Sequence, residues 1–245
     1  MRVVGIIGRA FSGSTLLARV ASACEEVASV GELHWIIDNS ERSVCTTCGA
    51  DCDLFSDDLR YYPPAEKDLY STVFSRSGKA ILFSSDKTPW QYERFVAPRT
   101  MDGVFLLRSP HGVVSSILKR NIYVKRAMHN ALRSYIETYG GLLGWSRGFC
   151  RRLIVIEYDD LIRDPVATIR LIADEMALGP VSKAIDLNQL HPHQLFGSRR
   201  ARRSVTIEPI DKWRQRLAVG QVAEIGADTL AMDIYERIRE HALHP

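Results

Sequence analysis

The sequence predicts an α/β fold in which a central parallel sheet lies between two layers of helices, a three-layer sandwich. Short apolar runs alternate with longer segments whose apolar residues recur at helical spacing, beginning with residues 3–7 and 14–24. This alternation is typical of strand–helix–strand units, which build parallel sheets. The 245 residues are 46% hydrophobic and 25% charged, and no clear linker divides them. We therefore expect one domain that spans residues 1–245.

The individual elements follow from apolar periodicity and from residues that begin helices. Asp164 is a favourable N-cap residue, and Pro110 and Pro165 suit the first helical turn, where a missing N–H costs nothing. The predicted strands are residues 3–7, 27–30, 79–85, 102–109 and 152–161. The predicted helices are residues 14–24, 66–76 and 126–150, the two that begin at the prolines, and one helix from residue 220 onward.

Net charge and hydropathy limit the partners and the location that we expect for this protein. The formal net charge of +3 and the pI of about 8.6 are too small to indicate nucleic acid as a partner, although residues 198–204 contain four arginines. No apolar run approaches the roughly 18 residues of a membrane helix, and the N-terminal apolar stretch is too short for a secretory signal. We expect a cytoplasmic protein that does not insert into a membrane.

The first strand is followed by a loop that nearly matches a nucleotide-phosphate motif. Gly8 is followed by Gly13, Ser14 and Thr15, whereas the motif G-x-x-x-x-G-K-[ST] requires a lysine where Ser14 stands. Backbone N–H groups at the start of a helix can bind an anion, and the helix dipole adds to the attraction. The loop without its lysine indicates either a different terminal group on the ligand or a glycine turn without a ligand.

A second element at a strand end suggests a ligand with two separated phosphates. Arg108 ends a predicted strand, and Ser116 lies two turns into the helix that follows. The carboxyl ends of parallel strands meet at one edge of the sheet, where α/β proteins bind ligands. An exposed arginine before an ordinary helix is the alternative interpretation of this pair.

These motifs resemble those of sulfotransferases that use 3′-phosphoadenosine 5′-phosphosulfate (PAPS). The stretch FSGSTL, residues 11–16, resembles the family's 5′-phosphosulfate loop, and Arg108 with Ser116 resembles its 3′-phosphate element. Further similar segments are SVGELHWI at 29–36, SSDKTP at 84–89, and FGSRRARR at 196–203 before DKWRQRL at 211–217. The resemblance implies a P-loop nucleotide-kinase-like sulfotransferase fold with PAPS as co-substrate.

The resemblance also implies which residues bind the donor. Phe11 stands where the family's loop has a basic residue, and Arg9 is the candidate replacement. The implied donor-binding residues are Arg9, Ser12, Gly13, Ser14, Thr15, Leu16, Arg108, Ser116, Arg199, Arg202 and Arg203. Because a sulfuryl group carries less charge than a terminal phosphate, no metal ion is expected.

By the same resemblance, Glu32 is the general base that takes the acceptor proton, and Lys87 stabilises charge on the leaving phosphate. His34 is the rival base. It is two residues after Glu32, and on a strand two such residues would face the same side. Asp86 is interpreted as the cap of the helix that begins at Pro89, and the orientation of a neighbouring residue is the alternative.

The acceptor is expected to carry a hydroxyl or an amine, and the resemblance of the G-E segment implies a carbohydrate or glycolipid. Residues 35–65 and 121–150 are predicted to be insertions on the acceptor side. Aromatic residues that could either line the acceptor pocket or belong to the core are Trp35, Tyr61, Tyr62, Tyr123 and Trp145. Trp213 could stack on adenine or pack in the core.

The cysteines do not indicate a disulfide framework. Their odd number, five, and the lack of a signal peptide favour reduced thiols. Cys45, Cys48 and Cys52 are spaced as C-x₂-C-x₃-C, which could begin a zinc site with His34 or Asp53 as the fourth ligand. Free thiols or a local disulfide are the expected state.

Two other functions stay open at this stage. A nucleotide or small-molecule kinase has a similar fold but would need magnesium and ATP, and the loop lacks its lysine. A non-catalytic module that binds a nucleotide or a nucleic acid would use the arginines at 199–203, and Phe11 in the loop favours it.

Overall fold

The structure, a computed structural model, describes residues 1–39, 44–119, 127–195, 207 and 210–245. The predicted donor-binding residues Arg199, Arg202 and Arg203 lie outside the described residues, as does Tyr123. Within the described part of the chain, no helix combines the length and the apolar character that crossing a bilayer requires.

A parallel sheet forms the centre of the protein, and the described residues contribute six strands to it. The strands are β1 (Arg2–Ile7), β2 (Val27–Gly31), β3 (Ile81–Lys87), β4 (Met101–Leu107), β5 (Arg152–Glu157) and β6 (Ala242–Leu243). Their order is β2-β3-β1-β4-β5-β6, and each neighbouring pair is parallel. Strands therefore lie on both sides of β1, and the chain adds them in both directions. The carboxyl ends of β3, β1 and β4 form the switch point, where ligands bind in such sheets.

Helices cover both faces of this sheet. They are α1 (Ser14–Ala21), α2 (His34–Asp38), α3 (Asp57–Tyr61), α4 (Leu69–Ser77), α5 (Pro89–Glu93), α6 (Pro110–Leu118), α7 (Ala127–Phe149), α8 (Tyr158–Arg163), α9 (Pro165–Met176), α10 (Lys212–Arg216), α11 (Val219–Ala227) and α12 (Thr229–Arg239). Two 3₁₀ turns, Asp53–Phe55 and Glu66–Asp68, precede α3 and α4.

Two hydrophobic cores form because successive residues of a strand face opposite sides of the sheet. Val4 and Ile6 of β1 join the core beneath α1 and α9, while Val3 and Ile7 join the larger core beneath α4, α6, α7 and α12. The predicted α/β fold with a parallel sheet between two helical layers is confirmed.

Some predicted elements differ in detail from the observed ones. The tail is not one helix, because the Asp228 side chain accepts a hydrogen bond from the Ala231 N–H and begins α12 after α11 has ended. The strand predicted over 152–161 ends at Glu157, where α8 begins, and β6 extends the sheet beyond β5. Asp164 caps α9 as predicted, since it accepts from the Ala167 N–H.

Candidate active site

The loop between β1 and α1 wraps tightly around Gly13. Gly13 has φ 101°, and a Cβ atom there would lie 2.3 Å from Cδ2 of Tyr158, so only glycine fits. The hydroxyl of Ser12 is buried and has no hydrogen-bond partner among the described residues. Since the first N–H groups of α1 have no partner within the helix, the loop can accept an anion at this point.

The remaining predicted loop residues lie in the first turn of α1. Ser14 and Thr15 are buried there, and Leu16 packs against the core beneath the helix. Ser14 thus occupies the place of the missing lysine at the beginning of a helix whose positive dipole end faces the loop.

Arg9 connects this loop to α7. It donates to the Ser134 hydroxyl at 2.5 Å and, more weakly, to the Ser134 carbonyl at 3.4 Å. Burial lowers the pKa of Arg9, and its second terminal nitrogen, Nη1, is buried without a partner among the described residues. An unsatisfied guanidinium N–H at this position is suited to an anionic ligand.

Arg108 holds the loop from the opposite side. It donates to the Phe11 carbonyl at 2.6 Å, and its guanidinium lies 4.1 Å from the centre of the Tyr158 ring. Phe11 has φ 73°, in the left-handed region that non-glycine residues rarely adopt. Burial lowers the pKa of Arg108 below its ordinary value.

Ser116 lies on the helix that begins just after Arg108. Its hydroxyl donates to the Gly112 carbonyl at 3.0 Å, while Arg108 Nε lies 2.8 Å from where a Cβ of Gly112 would be. Gly112 therefore allows Arg108 to pack on the first turn of α6, whereas Ser116 lies in the second turn of that helix. No direct contact joins their side chains among the hydrogen bonds of the described residues.

Lys87 and Glu32 form an ion pair at the carboxyl edge of the sheet. Lys87 Nζ lies 2.5 Å from Glu32 Oε1, and the two side chains are only 11% and 15% exposed. The other carboxylate oxygen of Glu32 accepts from the Trp35 indole at 3.3 Å. Lys87 is connected to the loop between β1 and α1, because its carbonyl accepts the Gly8 N–H at 3.1 Å.

Irregular backbone near the end of β3 determines where Lys87 lies. The register between β1 and β3 shifts after Gly5 and Ser84, and it resumes with Ile7 opposite Lys87. One extra residue of β3 is thereby accommodated, a β-bulge that redirects the end of the strand. Lys87 itself has φ 76°. Strained backbone of this kind is concentrated at functional sites.

Asp86 does not cap the helix that begins at Pro89; the Thr88 side chain does so, paired with Gln91. Asp86 is fully buried and accepts hydrogen bonds from the ring and backbone nitrogens of His34, at 2.7 and 3.0 Å, and from Tyr70. Burial alone would raise the pKa of Asp86, but the hydrogen bonds from His34 and Tyr70 lower it below its ordinary value.

The same network excludes His34 as the rival base. His34 begins helix α2 instead of lying on a strand beside Glu32, and it is buried. One ring nitrogen contacts Asp86 and the other lies 2.9 Å from the Gln91 amide nitrogen. Because both nitrogens are engaged inside the protein, the imidazole supports the structure behind Glu32.

A segment from far along the chain fixes the backbone at Glu32. The Leu195 carbonyl accepts the Glu32 N–H at 3.2 Å, and Leu195 forms bridges with Gly31 and Cys45. Gly31 has φ 72°, and a Cβ there would lie 2.7 Å from the Leu195 backbone. The segment that carries Leu195 is thus pressed between the end of β2 and the cysteine-containing loop.

The structure also places residues that sequence reasoning missed or left undecided. Tyr158, immediately after β5, packs on Gly13; the sequence pattern placed it inside the predicted strand 152–161 and so gave no signal of this position. Trp213 packs against the core and its ring lies 4.5 Å from that of His111. Tyr61 and Tyr62 are largely exposed, and the Trp145 indole donates to Glu93.

The cysteines are free thiols, which is the first of the two expected states, and no disulfide joins Cys45, Cys48 and Cys52. The side chain that approaches them is that of His193 and neither His34 nor Asp53. His34 is unavailable because Asp86 holds it.

Comparison with solved structures identifies the class of fold. The sulfotransferase domain of the Synechococcus PCC 7002 olefin synthase matches with a TM-score of 0.70 and 17% identity, covering 97% of this chain and 94% of that one. The sulfotransferase domain of the curacin biosynthetic pathway matches with a TM-score of 0.64 and 15% identity, covering 100% and 99%. A sulfotransferase from Alicyclobacillus acidocaldarius matches with a TM-score of 0.54 and 16% identity, covering 99% and 97%.

No protein-family model matches the sequence, and no curated protein is a significant match. The structural matches extend over nearly the whole chain, and all three are sulfotransferases. The chain therefore has the sulfotransferase fold, and the resemblance drawn from its motifs is confirmed at that level.

Proposed function

We propose that this protein is a sulfotransferase that moves the sulfuryl group of PAPS to an acceptor hydroxyl or amine. The observation that carries the proposal is the contact of 2.5 Å between Lys87 and Glu32 beside the phosphate loop. A cation and a carboxylate at one strand edge supply the two functions that sulfuryl transfer requires, charge stabilisation and proton removal.

The donor is bound along the edge formed by β1 and β4. The loop at Ser12 and Gly13, with the start of α1, receives the phosphosulfate, and Arg9 contributes its unpartnered Nη1. Arg108, just before α6, and Ser116, in the second turn of α6, receive the 3′-phosphate. Arg199, Arg202 and Arg203 are proposed to complete this second site, as guanidinium groups suit phosphate oxygens.

In the transfer step the acceptor oxygen forms a bond to sulfur while the bond from sulfur to the phosphate oxygen breaks. Glu32 takes the proton of the acceptor hydroxyl, and Lys87 stabilises the negative charge that grows on the departing phosphate oxygen. The ion pair must therefore separate when substrates bind, which leaves each partner beside its own reacting atom. The proposal assigns no metal ion to this step.

A kinase of similar fold is less well supported. In a P-loop kinase the lysine after the second glycine contacts the β- and γ-phosphates. Here that position is Ser14, and the nearby lysine, Lys87, comes from a different strand and pairs with a carboxylate.

Aromatic residues beside Glu32 favour a carbohydrate or glycolipid acceptor. Trp35 contacts the Glu32 carboxylate, and the rings of Trp35 and Trp90 both approach His34, with centroid distances of 5.0 and 6.1 Å. Trp90 is 54% exposed, so its ring face is available to a ligand. Indole rings provide flat apolar surfaces with a polar edge, which suits a sugar ring.

The proposal is tested with PAPS labelled with radioactive sulfur and a panel of sugars, a glycolipid, a phenol and an amine. We expect label in at least one hydroxyl or amine acceptor without added magnesium. Glu32→Gln should lower the rate about 10²–10⁴-fold, because the general base is lost. Glu25→Gln, at an exposed carboxylate, is the matched control and should retain the wild-type rate. Equal rates for Glu32→Gln and the wild type would contradict the role of Glu32.

A further inference from the structure

We propose that Cys45, Cys48, Cys52 and His193 bind a zinc ion that ties two distant segments of the chain together. Their ligand atoms all lie within 4.8 Å of one another. This inference is independent of the proposed sulfuryl transfer, because it depends only on the cluster and the segments around it.

The distances within the cluster fit a tetrahedral ion. Zinc–sulfur bonds of about 2.3 Å and zinc–nitrogen bonds of about 2.0–2.1 Å place sulfur and nitrogen about 3.5–3.6 Å apart in a tetrahedron. The Nδ1 atom of His193 lies 3.5 Å from the Cys48 sulfur and 3.4 Å from the Cys52 sulfur. The His193 nitrogen is therefore already spaced from two of the three sulfurs as it would be around the metal.

The loop that carries the cysteines has the shape of a metal-binding turn. The backbone N–H of Cys48 points at the Cys45 sulfur at 3.4 Å, and the Gly49 N–H donates to the Cys45 carbonyl at 3.0 Å. Gly49 has φ 75°, and no other atom would lie within 4 Å of a Cβ there. Glycine is thus required by the backbone conformation of the turn and not by a neighbouring atom. The N–H directed at the Cys45 sulfur favours the thiolate form, which is the form that binds metal.

Hydrogen bonds hold His193 in place opposite this loop. Thr46 donates through its N–H and its hydroxyl to the Gln194 carbonyl, both at 2.8 Å, and the Thr47 hydroxyl donates to the Pro192 carbonyl at 2.7 Å. Residues on both sides of His193 are therefore fixed to the threonines between Cys45 and Cys48. Bonds around the ligands orient a metal site as the ligands themselves do.

The chemical identity and the number of the ligands indicate which metal binds and what role it has. Three thiolates and one imidazole are typical of zinc, and four protein ligands leave no open position for a substrate. The site is structural. Two of the cysteines are buried, Cys48 is exposed and His193 is partly buried, so the ion would lie just beneath the surface.

A zinc ion here would brace the backbone behind Glu32. His193 is two residues before Leu195, whose carbonyl accepts the Glu32 N–H. The ion would therefore anchor the cysteine loop to the segment that packs on the end of β2. A small loop-rich region gains most from such a link, since metal binding supplies folding free energy directly.

The first test is the metal content of the full chain, purified under reducing conditions without chelator. We expect about one zinc per chain, as in other four-ligand structural sites. His193→Ala and Cys48→Ser should lose the metal, whereas His193→Cys should keep it as a four-cysteine site. His191→Ala is the control, because this nearby histidine is exposed and outside the cluster, and it should keep the metal.

A second test needs no variant and so does not depend on the variants folding. The wild-type protein loaded with Co²⁺ should show the visible absorption of tetrahedral cobalt with thiolate ligands, and zinc should displace it. A metal-free wild-type protein that also fails to bind added zinc or cobalt would overturn the proposal. A disulfide between two of the three cysteines in the freshly purified protein would overturn it as well.

Discussion

The Lys87 ammonium lies 2.5 Å from the Glu32 carboxylate, although the two residues end different strands of the sheet. The contact depends on a bulge in β3 and on the positive φ of Lys87, which turn its side chain toward the end of β2. The pair is largely buried, and it lies beside the loop between β1 and α1.

Lys87→Met should affect the chemical step more than donor binding. Lys87 is assigned to charge that develops as the phosphate leaves, so the variant should lower kcat about 10²–10³-fold, a typical loss for one such group. Its affinity for adenosine 3′,5′-bisphosphate, measured by calorimetry, should change much less. Lys183→Met, at an exposed lysine, is the control. A variant with wild-type kcat and weakened binding would contradict this role for Lys87.

Arg108→Ala should weaken binding of a nucleotide that carries a 3′-phosphate. The guanidinium holds the Phe11 carbonyl and stacks on Tyr158, so the variant loses both a phosphate ligand and a support of the loop. Loss of a charge-assisted hydrogen bond costs about 1.5–3 kcal/mol, roughly 10- to 100-fold in affinity. AMP, which lacks the 3′-phosphate, should lose less. Arg133→Ala, on the exposed face of α7, should bind both nucleotides normally.

Gly13→Ala should destabilise the protein more than Gly78→Ala. Both glycines have positive φ, but only at Gly13 would the new Cβ collide with a neighbour, the Tyr158 ring. The left-handed conformation alone costs about 1–2 kcal/mol for alanine, and Gly78→Ala should show this amount in denaturant unfolding. Equal losses for the two variants would mean that Tyr158 does not pack on the loop as described.

Asp86→Asn should make the free energy of unfolding less sensitive to a fall in pH. Burial would raise the pKa of Asp86, but His34 and Tyr70 hold it below its ordinary 3.8, so the folded protein binds this proton less tightly than the unfolded chain. The resulting stability is present above pH 3.8 and is lost as the pH falls through the lowered pKa of the folded state.

The free energy of unfolding should therefore fall less steeply with acid in Asp86→Asn than in the wild type. At neutral pH the variant should be less stable by about 3 kcal/mol, since a buried and hydrogen-bonded charge is replaced. Asp51→Asn, at an exposed aspartate, should keep the wild-type slope. An unchanged slope in Asp86→Asn would contradict the account of this network.

Features set by neighbouring residues could be predicted from the sequence. Gly8 and Gly13 mark the loop, and Asp164 and Pro165 mark the start of α9, because turns and caps depend on residues a few positions apart. The apolar strand runs predicted the sheet for the same reason. The fold agreed with the resemblance drawn from those local motifs.

Features set by distant contacts could not be predicted. His193 approaches Cys48 from a segment far along the chain, so no spacing pattern reveals it. His34 would face the same side as Glu32 only on a strand, but it begins a buried helix and contacts Asp86. The short strand β6 pairs with β5 from a distant part of the chain.

The most direct test of the central claim compares thermal unfolding with adenosine 3′,5′-bisphosphate, with AMP, and with ATP plus magnesium. A ligand at 100 times its Kd stabilises the folded state by about 2.7 kcal/mol, a shift of roughly 5–11 °C for a domain of this size. We predict this shift with the bisphosphate, without magnesium, and a smaller one with AMP. A shift only with magnesium and ATP, or none with any nucleotide, would contradict a PAPS-dependent sulfotransferase.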